Sequence, residues 1–343
     1  MKLLNTTSFK KENHLKFLLL SLFLILCFLI SFALGKYPIS PLELLKVLLS
    51  KFISLQPTWS SEAETVIFQI RLPRVIAAVL IGAALSCAGA TYQGLFQNPM
   101  VSPDLLGASA GAGFGAALAI FLGFSKYSIS ISAFFFGMVT VFLVWIISSR
   151  VKANPSLGLI LTGIMIGSLF SAGLSFIKLV ADPNNELPAI TYWLMGSLAS
   201  IRTDDLLISA IPILIGLIPL MFLRWKLNVM TMGEEEAKTM GINTKVIRVI
   251  VIACATLVTA ASVSVSGMIG WVGLVIPHFT RMIVGSDFRV LLPASMLLGA
   301  SFLLIVDNFS RLLATQEIPL GILTAFVGAP FFMYLILREG NKL

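Results

Sequence analysis

The sequence predicts an all-α membrane protein that crosses the bilayer about ten times. Hydrophobic residues make up 57% of its 343 residues and charged residues 12%, whereas a soluble domain has roughly 25% charged residues. A chain so poor in charge cannot cover its surface with polar groups, so lipid must be its main solvent. Its apolar runs suit membrane helices, which need about 20 residues each, and lack the short alternation of barrel strands.

Ten apolar segments are long enough to predict membrane spans, and no low-complexity linker separates them. We therefore predict a single membrane domain over residues 1–343. The spans run over residues 16–35, 74–92, 106–124, 130–149, 157–178, 205–223, 246–265, 269–284, 291–310 and 319–337.

The first span has an alternative interpretation as a signal peptide, because Ala33, Leu34 and Gly35 form a small-residue pattern of the kind seen at cleavage sites. Its apolar stretch is longer than the core of about 7–15 residues found in signal peptides. We expect it to be retained as a membrane helix.

The basic residues predict the orientation of the chain. With the N-terminus in the cytoplasm, most of the Lys and Arg residues fall in the connections on the inner side, as membrane proteins prefer. An even number of spans then returns the C-terminus to the cytoplasm. The formal net charge of +8 is explained by this inner excess. A nucleic-acid interface would instead need a basic face with base-stacking aromatic residues.

Two arginines straddle a proline where the second span begins, in the stretch "QIRLPRVIAAVL" (69–80). In the predicted orientation, Arg71 and Arg74 lie at the outer surface, and Arg311 lies at the outer end of the ninth span. These guanidinium groups need counter-charges. They could reach lipid phosphate, or they could pair with carboxylates of a protein partner, since guanidinium and carboxylate form a bidentate fork.

The longest polar inner segment between spans is "MGEEEAKTMGIN" (232–243), and its pattern predicts a short helix. Three glutamates occupy the first turn, where the helix dipole favours acids, and Gly241 suits the position after the helix end. Ala237, Met240 and Ile242 would form a small apolar face. The segment is either a solvated surface helix or a knob that docks into a cytoplasmic partner.

Two inner connections and two small-residue ridges each allow a structural and a functional interpretation. "QNPMVSPDLLG" (97–107) and "KANPSLG" (152–158) are either ordinary turns or parts that close the cytoplasmic mouth. A ridge of glycines at 107, 111 and 115 marks the third span. A second ridge, of Gly163, Gly167, Ser171 and Ser175, marks the fifth. Such ridges either let helices pack closely or give a smooth wall to a path for a bulky solute.

The remaining chemistry-bearing residues are sparse. Cys27 and the other two cysteines lie in apolar runs and predict reduced, buried thiols. His278 has no Cys or His near it at metal-ligand spacing, so we predict no metal site and no cofactor in this chain. Asp307 lies inside the ninth span, where a charge is costly, so it should pair or face a polar cavity. A proton relay through Asp307 is the alternative.

Four long motifs carry a family resemblance. They are "RLPRVIAAVLIGAALSCAGATYQGLFQNPMVSPDLLG", "GEEEAKTMGIN", "GWVGLVIPHFTRMIVGSDFRVLLPAS" and "EIPLGILTAFVGAPFF". In this order they resemble the permease family of ATP-binding-cassette (ABC) importers for iron-siderophores, haem and vitamin B12. The resemblance runs from about Pro41 to the C-terminus.

The resemblance implies a fold of ten transmembrane helices in the bacterial inner membrane, and it implies three kinds of partner. A second permease subunit shares the pathway, two cytoplasmic ATPase subunits drive transport, and an extracytoplasmic binding protein delivers the solute. The matching docking residues for the binding protein are Arg71, Arg74 and Arg311. The matching coupling residues for the ATPase are Gly233, Glu234, Glu235, Glu236, Ala237, Lys238, Met240 and Gly241. The cytoplasmic gate matches Asn98, Met100, Asn154, Pro155 and Ser156, and the pathway lining matches Gly163, Gly167, Ser171 and Ser175.

The chain lacks the Gly-x-x-x-x-Gly-Lys-Ser/Thr pattern of a phosphate-binding loop. We therefore expect that it is not an enzyme and that ATP and magnesium bind to the partner subunits. The expected function is import of an iron-siderophore type of metal chelate by alternating access. Haem, vitamin B12 or molybdate is the alternative solute within the same family, and ion-coupled secondary transport through Asp307 is the alternative mechanism.

Overall fold

The computed structural model describes residues 2–37, 39–51, 53, 59–151 and 155–340. Its helices, in chain order, are α1 (Lys2–Ala33), α2 (Pro41–Leu49), α3 (Ser61–Thr65), α4 (Leu72–Leu95), α5 (Ala108–Phe121), α6 (Lys126–Ser148), α7 (Pro155–Val180), α8 (Glu186–Met195), α9 (Thr203–Met230), α10 (Glu234–Thr239), α11 (Thr244–Ser266), α12 (Val272–Val284), α13 (Phe288–Leu312) and α14 (Leu320–Gly340). A π-helical turn (Val66–Arg71) joins α3 to α4, and a 3-10 turn (Pro103–Leu106) precedes α5.

The all-helical prediction is confirmed, since the described residues contain no strand. Seven helices in this part of the chain are long and apolar enough to cross a membrane, and three shorter apolar helices, α5, α12 and α14, complete the ten predicted spans. The sequence did not predict α2 and α8, which have 9 and 10 residues and are too short to register as spans. The cytoplasmic position of the two termini stays a prediction.

Helix α4 lies at the centre of the bundle. Helix α4 belongs to a continuous helix over Ser61–Leu95, and 83% of the most apolar stretch of that helix is buried. The corresponding buried share is 28% in each of α6, α7 and α9. Its sequence explains this position, because small residues occur on all sides of α4 and let neighbours approach from every direction. Helices α9, α11, α12 and α13 all pack against it. The helices with exposed apolar faces form the periphery, where lipid covers them.

Two pairs of glycines set the closest approaches of α4. A Cβ atom added at Gly82 would lie 2.3 Å from the carbonyl oxygen of Gly299 on α13. One added at Gly89 would lie 1.8 Å from the carbonyl oxygen of Gly273 on α12. These separations leave no room for any side chain, so α12 and α13 are held against α4 by backbone-to-backbone packing.

The bundle has two ends, which we name by their residues. The arginine end carries Arg71, Arg74 and Arg311 together with the connections that follow α1 and α13. The α10 end carries segment 232–243 and the turn after α4. Gln97 in that turn donates its side-chain amide to the carbonyl oxygen of Met230, at 2.9 Å, which fixes the turn beside the end of α9.

Asp287 organises the α10 end by capping α13. Its carboxylate accepts hydrogen bonds from the backbone N–H and the side chain of Arg289 and, at 2.6 Å, from the amide of Asn228 on α9. Asn228 in turn accepts the backbone N–H of Phe288 at 2.7 Å. These bonds, led by those from the Arg289 side chain, lower the pKa of Asp287 to about 2.

The lowered pKa of Asp287 predicts a pH dependence of stability. An aspartate ionises near 3.9 in an unfolded chain, so this cap stabilises the fold above about pH 4 and loses its effect as the pH falls towards 2. We expect Asp287→Asn to lower stability by about 1–2 kcal/mol at neutral pH. Thermal unfolding of the purified protein from pH 6 to pH 3 should show the difference between wild type and variant shrinking. A constant difference would contradict the assignment.

Candidate functional site

Two of the three arginines at the arginine end, Arg74 and Arg311, converge on one buried carboxylate, that of Asp307. Arg74 lies in the first turn of α4, whereas Asp307 and Arg311 lie one turn apart near the end of α13. The side chain of Asp307 is 0% exposed. Because α4 and α13 pack closely through their glycines, residues 233 positions apart in the chain come within hydrogen-bonding distance.

Arg74 is held by two carboxylates. Its Nε donates to the two oxygens of Asp307 at 2.9 and 3.1 Å. Its Nη1 and Nη2 donate to the two oxygens of Glu317 at 3.0 and 2.8 Å, in a bidentate fork. Glu317 lies in the connection between α13 and α14 and is 25% exposed. Both bidentate edges of the guanidinium group are therefore occupied within the chain.

Arg311 joins the same carboxylate to the end of α1. Its Nε lies 3.2 Å from Asp307 Oδ2, and its Nη1 donates to the carbonyl oxygen of Leu34 at 3.1 Å. Its Nη2 donates to the carbonyl oxygen of Ser31 at 3.3 Å and to the side chain of Asn308. A cation is favourable there, because the last carbonyl groups of a helix lack partners and carry its negative dipole end.

Arg71 satisfies further carbonyl groups at the end of α1. Its two terminal nitrogens donate to the backbone oxygens of Phe32 and Tyr37, and Gly35 lies directly against the guanidinium. No carboxylate among the described residues contacts it. Residues 34–37 thus form a strap across the arginine cluster, and Lys36 ties the strap to the carbonyl oxygen of Thr315 at 2.6 Å.

The structure supplies within the chain the counter-charges that the sequence led us to expect from lipid phosphate or from a protein partner. Arg71, Arg74 and Arg311 are all buried in the described chain, because intrachain carboxylates and helix-end carbonyl groups solvate them in place of water. Their role in docking stays a prediction. If a partner reaches them, it must displace contacts that this chain already makes.

The pairing of Asp307 is as the sequence predicts, since it contacts both Arg74 and Arg311. The alternative of a proton relay through Asp307 finds no support in this geometry. Two guanidinium groups hold the carboxylate and block the access to solvent that a relay needs.

Segment 232–243 folds as the sequence predicts. Helix α10 (Glu234–Thr239) has three glutamates in its first turn, and Gly241 follows it with a φ of 78°, in the left-handed region that favours glycine. Glu234 points inward. It accepts from Arg248 at 3.1 Å and from the hydroxyl of Thr244 at 3.2 Å, so it fastens α10 to α11.

The apolar face predicted for α10 is divided between the bundle and the surface. Ala237 and Ile242 are buried and belong to the main hydrophobic cluster. Only Met240, 51% exposed, remains available to a partner. The surface that α10 offers is therefore mostly charged, with Glu235, Glu236 and Lys238 exposed around Met240.

The predicted gate residues Asn98 and Met100 lie at the α10 end. Asn98 and Met100 are exposed in the turn after α4, and the backbone N–H of Met100 donates to the Asn98 side chain at 2.9 Å. This local bond replaces helical bonding and fixes a non-helical turn. Asn154 lies outside the described residues. Pro155 and Ser156 begin α7, and their side chains lie outside the described part as well.

The two small-residue ridges serve mainly to pack helices. A Cβ atom at Gly111 would lie 1.9 Å from Thr140 on α6, so the first ridge seats α5 on α6. Gly163 and Gly167 are buried against residues 105–107, so they do not form the open wall expected for a pathway. Ser171 and Ser175 are exposed on α7 and remain the predicted lining residues of that helix.

An open groove of about 730 Å³ runs along one face of α14. Its lining contains methionine, aromatic and small residues and no charged side chain. The lining residues come from α8, from the connection before α12 and from α14. They are Leu194, Met195, Met268, Gly270, Trp271, Gly321, Ile322, Ala325, Phe326, Ala329, Pro330 and Met333.

The sequence did not predict this groove or the role of Glu317. The groove residues come from three separate segments whose apolar character looks the same as that of lipid-facing residues. Glu317 lies in a short polar connection, where an acid is unremarkable, and only its contact with Arg74 distinguishes it. The described residues also contain no cluster of three His, Cys, Asp or Glu side chains placed to hold a metal ion.

Comparisons with known proteins match nearly the whole chain. The FecCD transport family matches residues 23–338. The molybdate import system permease protein MolB of Haemophilus influenzae is 40% identical over 319 residues, which cover 93% of this chain and 94% of that protein. The Fe(3+)-citrate import system permease protein YfmE of Bacillus subtilis is 38% identical over 344 residues, 98% of this chain and 99% of that protein.

A solved structure of a transporter assigned to the metal-chelate type of ABC transporter, in an inward-facing conformation, superimposes with a TM-score of 0.84. It is 39% identical, and the match covers 94% of this chain and 98% of that one. Permease subunits of this family are not enzymes, and ATPase activity lies in their partner subunits. The chain is therefore a member of the FecCD transport family and a multi-pass permease subunit of a bacterial inner-membrane ABC importer.

Proposed function

We propose that this permease moves a metal chelate of the iron-siderophore type into the cytoplasm by alternating access. The observation that carries the proposal is the uncharged groove along α14. A chelate encloses the charge of its metal within an organic shell, so it needs room and weak contacts rather than fixed counter-charges. Ligand pockets of roughly 300–1,000 Å³ suit organic molecules of moderate size, and the groove falls in this range.

The groove is open on one side, which suits a pathway shared between two subunits. In this proposal a second permease subunit closes the groove, and the exposed Ser171 and Ser175 of α7 belong to the same path. Met195, Met268 and Met333 supply polarizable, adaptable side chains that tolerate differently shaped solutes. A rigid, charged site would bind one solute tightly and release it slowly.

The two ends of the bundle supply the proposed partner sites. The exposed face of α10, around Met240, docks into a cytoplasmic ATPase subunit. Its inward residues Ala237 and Glu234 fasten it to the bundle, so movement of the ATPase is passed to α9 and α11. At the arginine end, Arg71, Arg74 and Arg311 receive carboxylates of an extracytoplasmic binding protein.

Molybdate is the second candidate solute, and the similarity to the molybdate permease over 93% of this chain favours it. A small oxyanion, however, needs hydrogen-bond donors or cations once it leaves water. The groove lining offers no charged group. The similarity to the Fe(3+)-citrate permease over 98% of the chain supports the chelate instead.

The experiment is solute identification followed by transport. The binding protein encoded with this importer is purified, and the solute that it retains is identified by mass spectrometry. The complete importer in proteoliposomes is then supplied with loaded binding protein, using radiolabelled ferric chelate in one arm and molybdate in the other. We expect ATP-dependent accumulation of the chelate and none from the permease alone. Accumulation of molybdate only would select the second candidate.

A further inference from the structure

We propose that an acidic docking partner binds the arginine end by displacing Glu317 from Arg74, and that this exchange shifts the start of α14. The inference rests on the docking role proposed above and adds a residue and a mechanical link. Glu317 acts in it as an internal substitute for the carboxylate of the partner.

The occupied edges of Arg74 require such an exchange. A guanidinium group offers two bidentate edges to carboxylates. The Nε and Nη2 edge of Arg74 faces Asp307, and the Nη1 and Nη2 edge faces Glu317. A third carboxylate finds no free bidentate edge until one of these two leaves. Asp307 is fully buried in α13, whereas Glu317 is 25% exposed on a connection. Glu317 is therefore the carboxylate that can be released.

The charge balance of the cluster favours an incoming acid. Three guanidinium groups, those of Arg71, Arg74 and Arg311, face two carboxylates, those of Asp307 and Glu317. This count leaves one positive charge unmatched among the described side chains of the cluster. The positive potential attracts an acidic partner to this end and rejects a basic one.

The connection that carries Glu317 is bonded to its surroundings on both sides. The backbone N–H of Ile318 donates to the carbonyl oxygen of Ser310 at 3.1 Å, and the Ser310 hydroxyl donates to the carbonyl oxygen of Ile318 at 2.6 Å. The backbone N–H of Leu320 donates to the carbonyl oxygen of Gly196 at 2.9 Å. Displacement of Glu317 therefore pulls on residues that are bonded to α13 and to the end of α8.

This connection also adjoins the groove. A Cβ atom at Gly321 would lie 2.5 Å from the carbonyl oxygen of Met195, and both residues line the groove. So close a contact transmits a shift of α14 directly to Met195. The physical link from Arg74 to the groove thus has three parts. They are the ion pair with Glu317, the short connection from Glu317 to α14, and the contact of Gly321 with the backbone of Met195.

The test is Glu317→Gln in the complete importer reconstituted in nanodiscs. The glutamine amide keeps the shape of the glutamate side chain but carries no negative charge. It therefore competes less well with the carboxylate of the partner for Arg74. We expect the cognate binding protein to bind about tenfold more tightly, because the competent state is more populated. Equal or weaker binding by the folded, monodisperse variant would overturn the proposal.

The matched control is Glu64→Gln. Glu64 is an exposed acid on α3, which leads into α4, and it pairs with Lys51 at 3.3 Å, outside the arginine cluster. The substitution Glu64→Gln changes the net charge by the same amount as Glu317→Gln. If Glu64→Gln tightens binding as much as Glu317→Gln does, general electrostatic attraction explains the effect and the exchange is refuted. If the binding protein fails to bind the wild-type importer, the docking role itself fails.

The link to α14 has its own measurement. Ile322→Cys places a thiol at the exposed groove edge of α14, and wild type gives the background labelling from the native cysteines. We expect the binding protein to change the labelling rate of the Ile322→Cys thiol. In the double variant with Glu317→Gln, we expect the changed rate even when no binding protein is present. If neither changes the rate, docking at Arg74 does not move α14.

Discussion

Replacing Asp307 by asparagine is expected to prevent stable folding of the permease. The carboxylate is fully buried and neutralises Arg74 and Arg311 at once. Its removal leaves two buried guanidinium groups with Glu317 as their remaining acid in the cluster. Breaking a buried ion pair from one side costs about 3–5 kcal/mol, which approaches the whole stability of many proteins. Yield and monodispersity after detergent extraction measure the outcome.

Glu317→Gln is the matched comparison for Asp307→Asn, because it removes a partly exposed partner of the same Arg74. Water can reach that site, so we expect a loss of roughly 1 kcal/mol or less. The double variant Asp307→Asn with Arg311→Gln removes one charge of each sign and should recover part of the yield. Folding of Asp307→Asn as well as wild type would show that the cluster does not require this carboxylate.

Gly89→Ala is the second substitution with a large expected effect. Its Cβ would lie 1.8 Å from the carbonyl oxygen of Gly273, and no side-chain rotation relieves a contact with backbone. Helix α12 must therefore move away from α4, which opens the packing at the centre of the bundle. We expect a loss of about 2 kcal/mol or more, measured as a lower melting temperature.

Gly167→Ala is the control for Gly89→Ala. It also lies in a membrane helix, but its added Cβ would meet its nearest neighbour, Gly107, at 3.5 Å, an ordinary contact distance. We expect a melting temperature close to that of wild type. Equal losses in the two variants would mean that helix propensity, rather than the contact with α12, sets the cost of the substitution.

Much of the fold could be predicted because its signals are local. Membrane spans appear as runs of apolar residues, and each of the ten predicted spans contains a helix. Helix α10 was predictable as well, since acids at its start and Gly241 after its end are features of neighbouring residues. The weak points were α2 and α8, whose short apolar stretches differ little from connections.

The site was less predictable because its contacts join distant parts of the chain. The residue types of the arginine cluster are evident, but the pairing of Arg74 with Glu317 spans 243 positions. The sequence indicated that these arginines need counter-charges, but it could not show that groups of the same chain supply them and bury the side chains. The glycine ridge at 163 and 167 was recognised as a small surface, but its facing residues at 105–107 could not be identified from spacing alone.

The end of α1 has a consequence for how the chain is assembled during synthesis. Its last carbonyl groups find their cation in Arg311, 280 positions later, and α1 also receives a hydrogen bond from Asn308 to Ser31 at 2.9 Å. Arg71 can bond the carbonyl oxygen of Phe32 once α4 is in place, but the carbonyl oxygens of Ser31 and Leu34 obtain their bonds from Arg311 only after α13 has been inserted. Completion of the bundle is a late event, and a chain truncated before Asn308 leaves α1 without the polar contacts that α13 makes with its end.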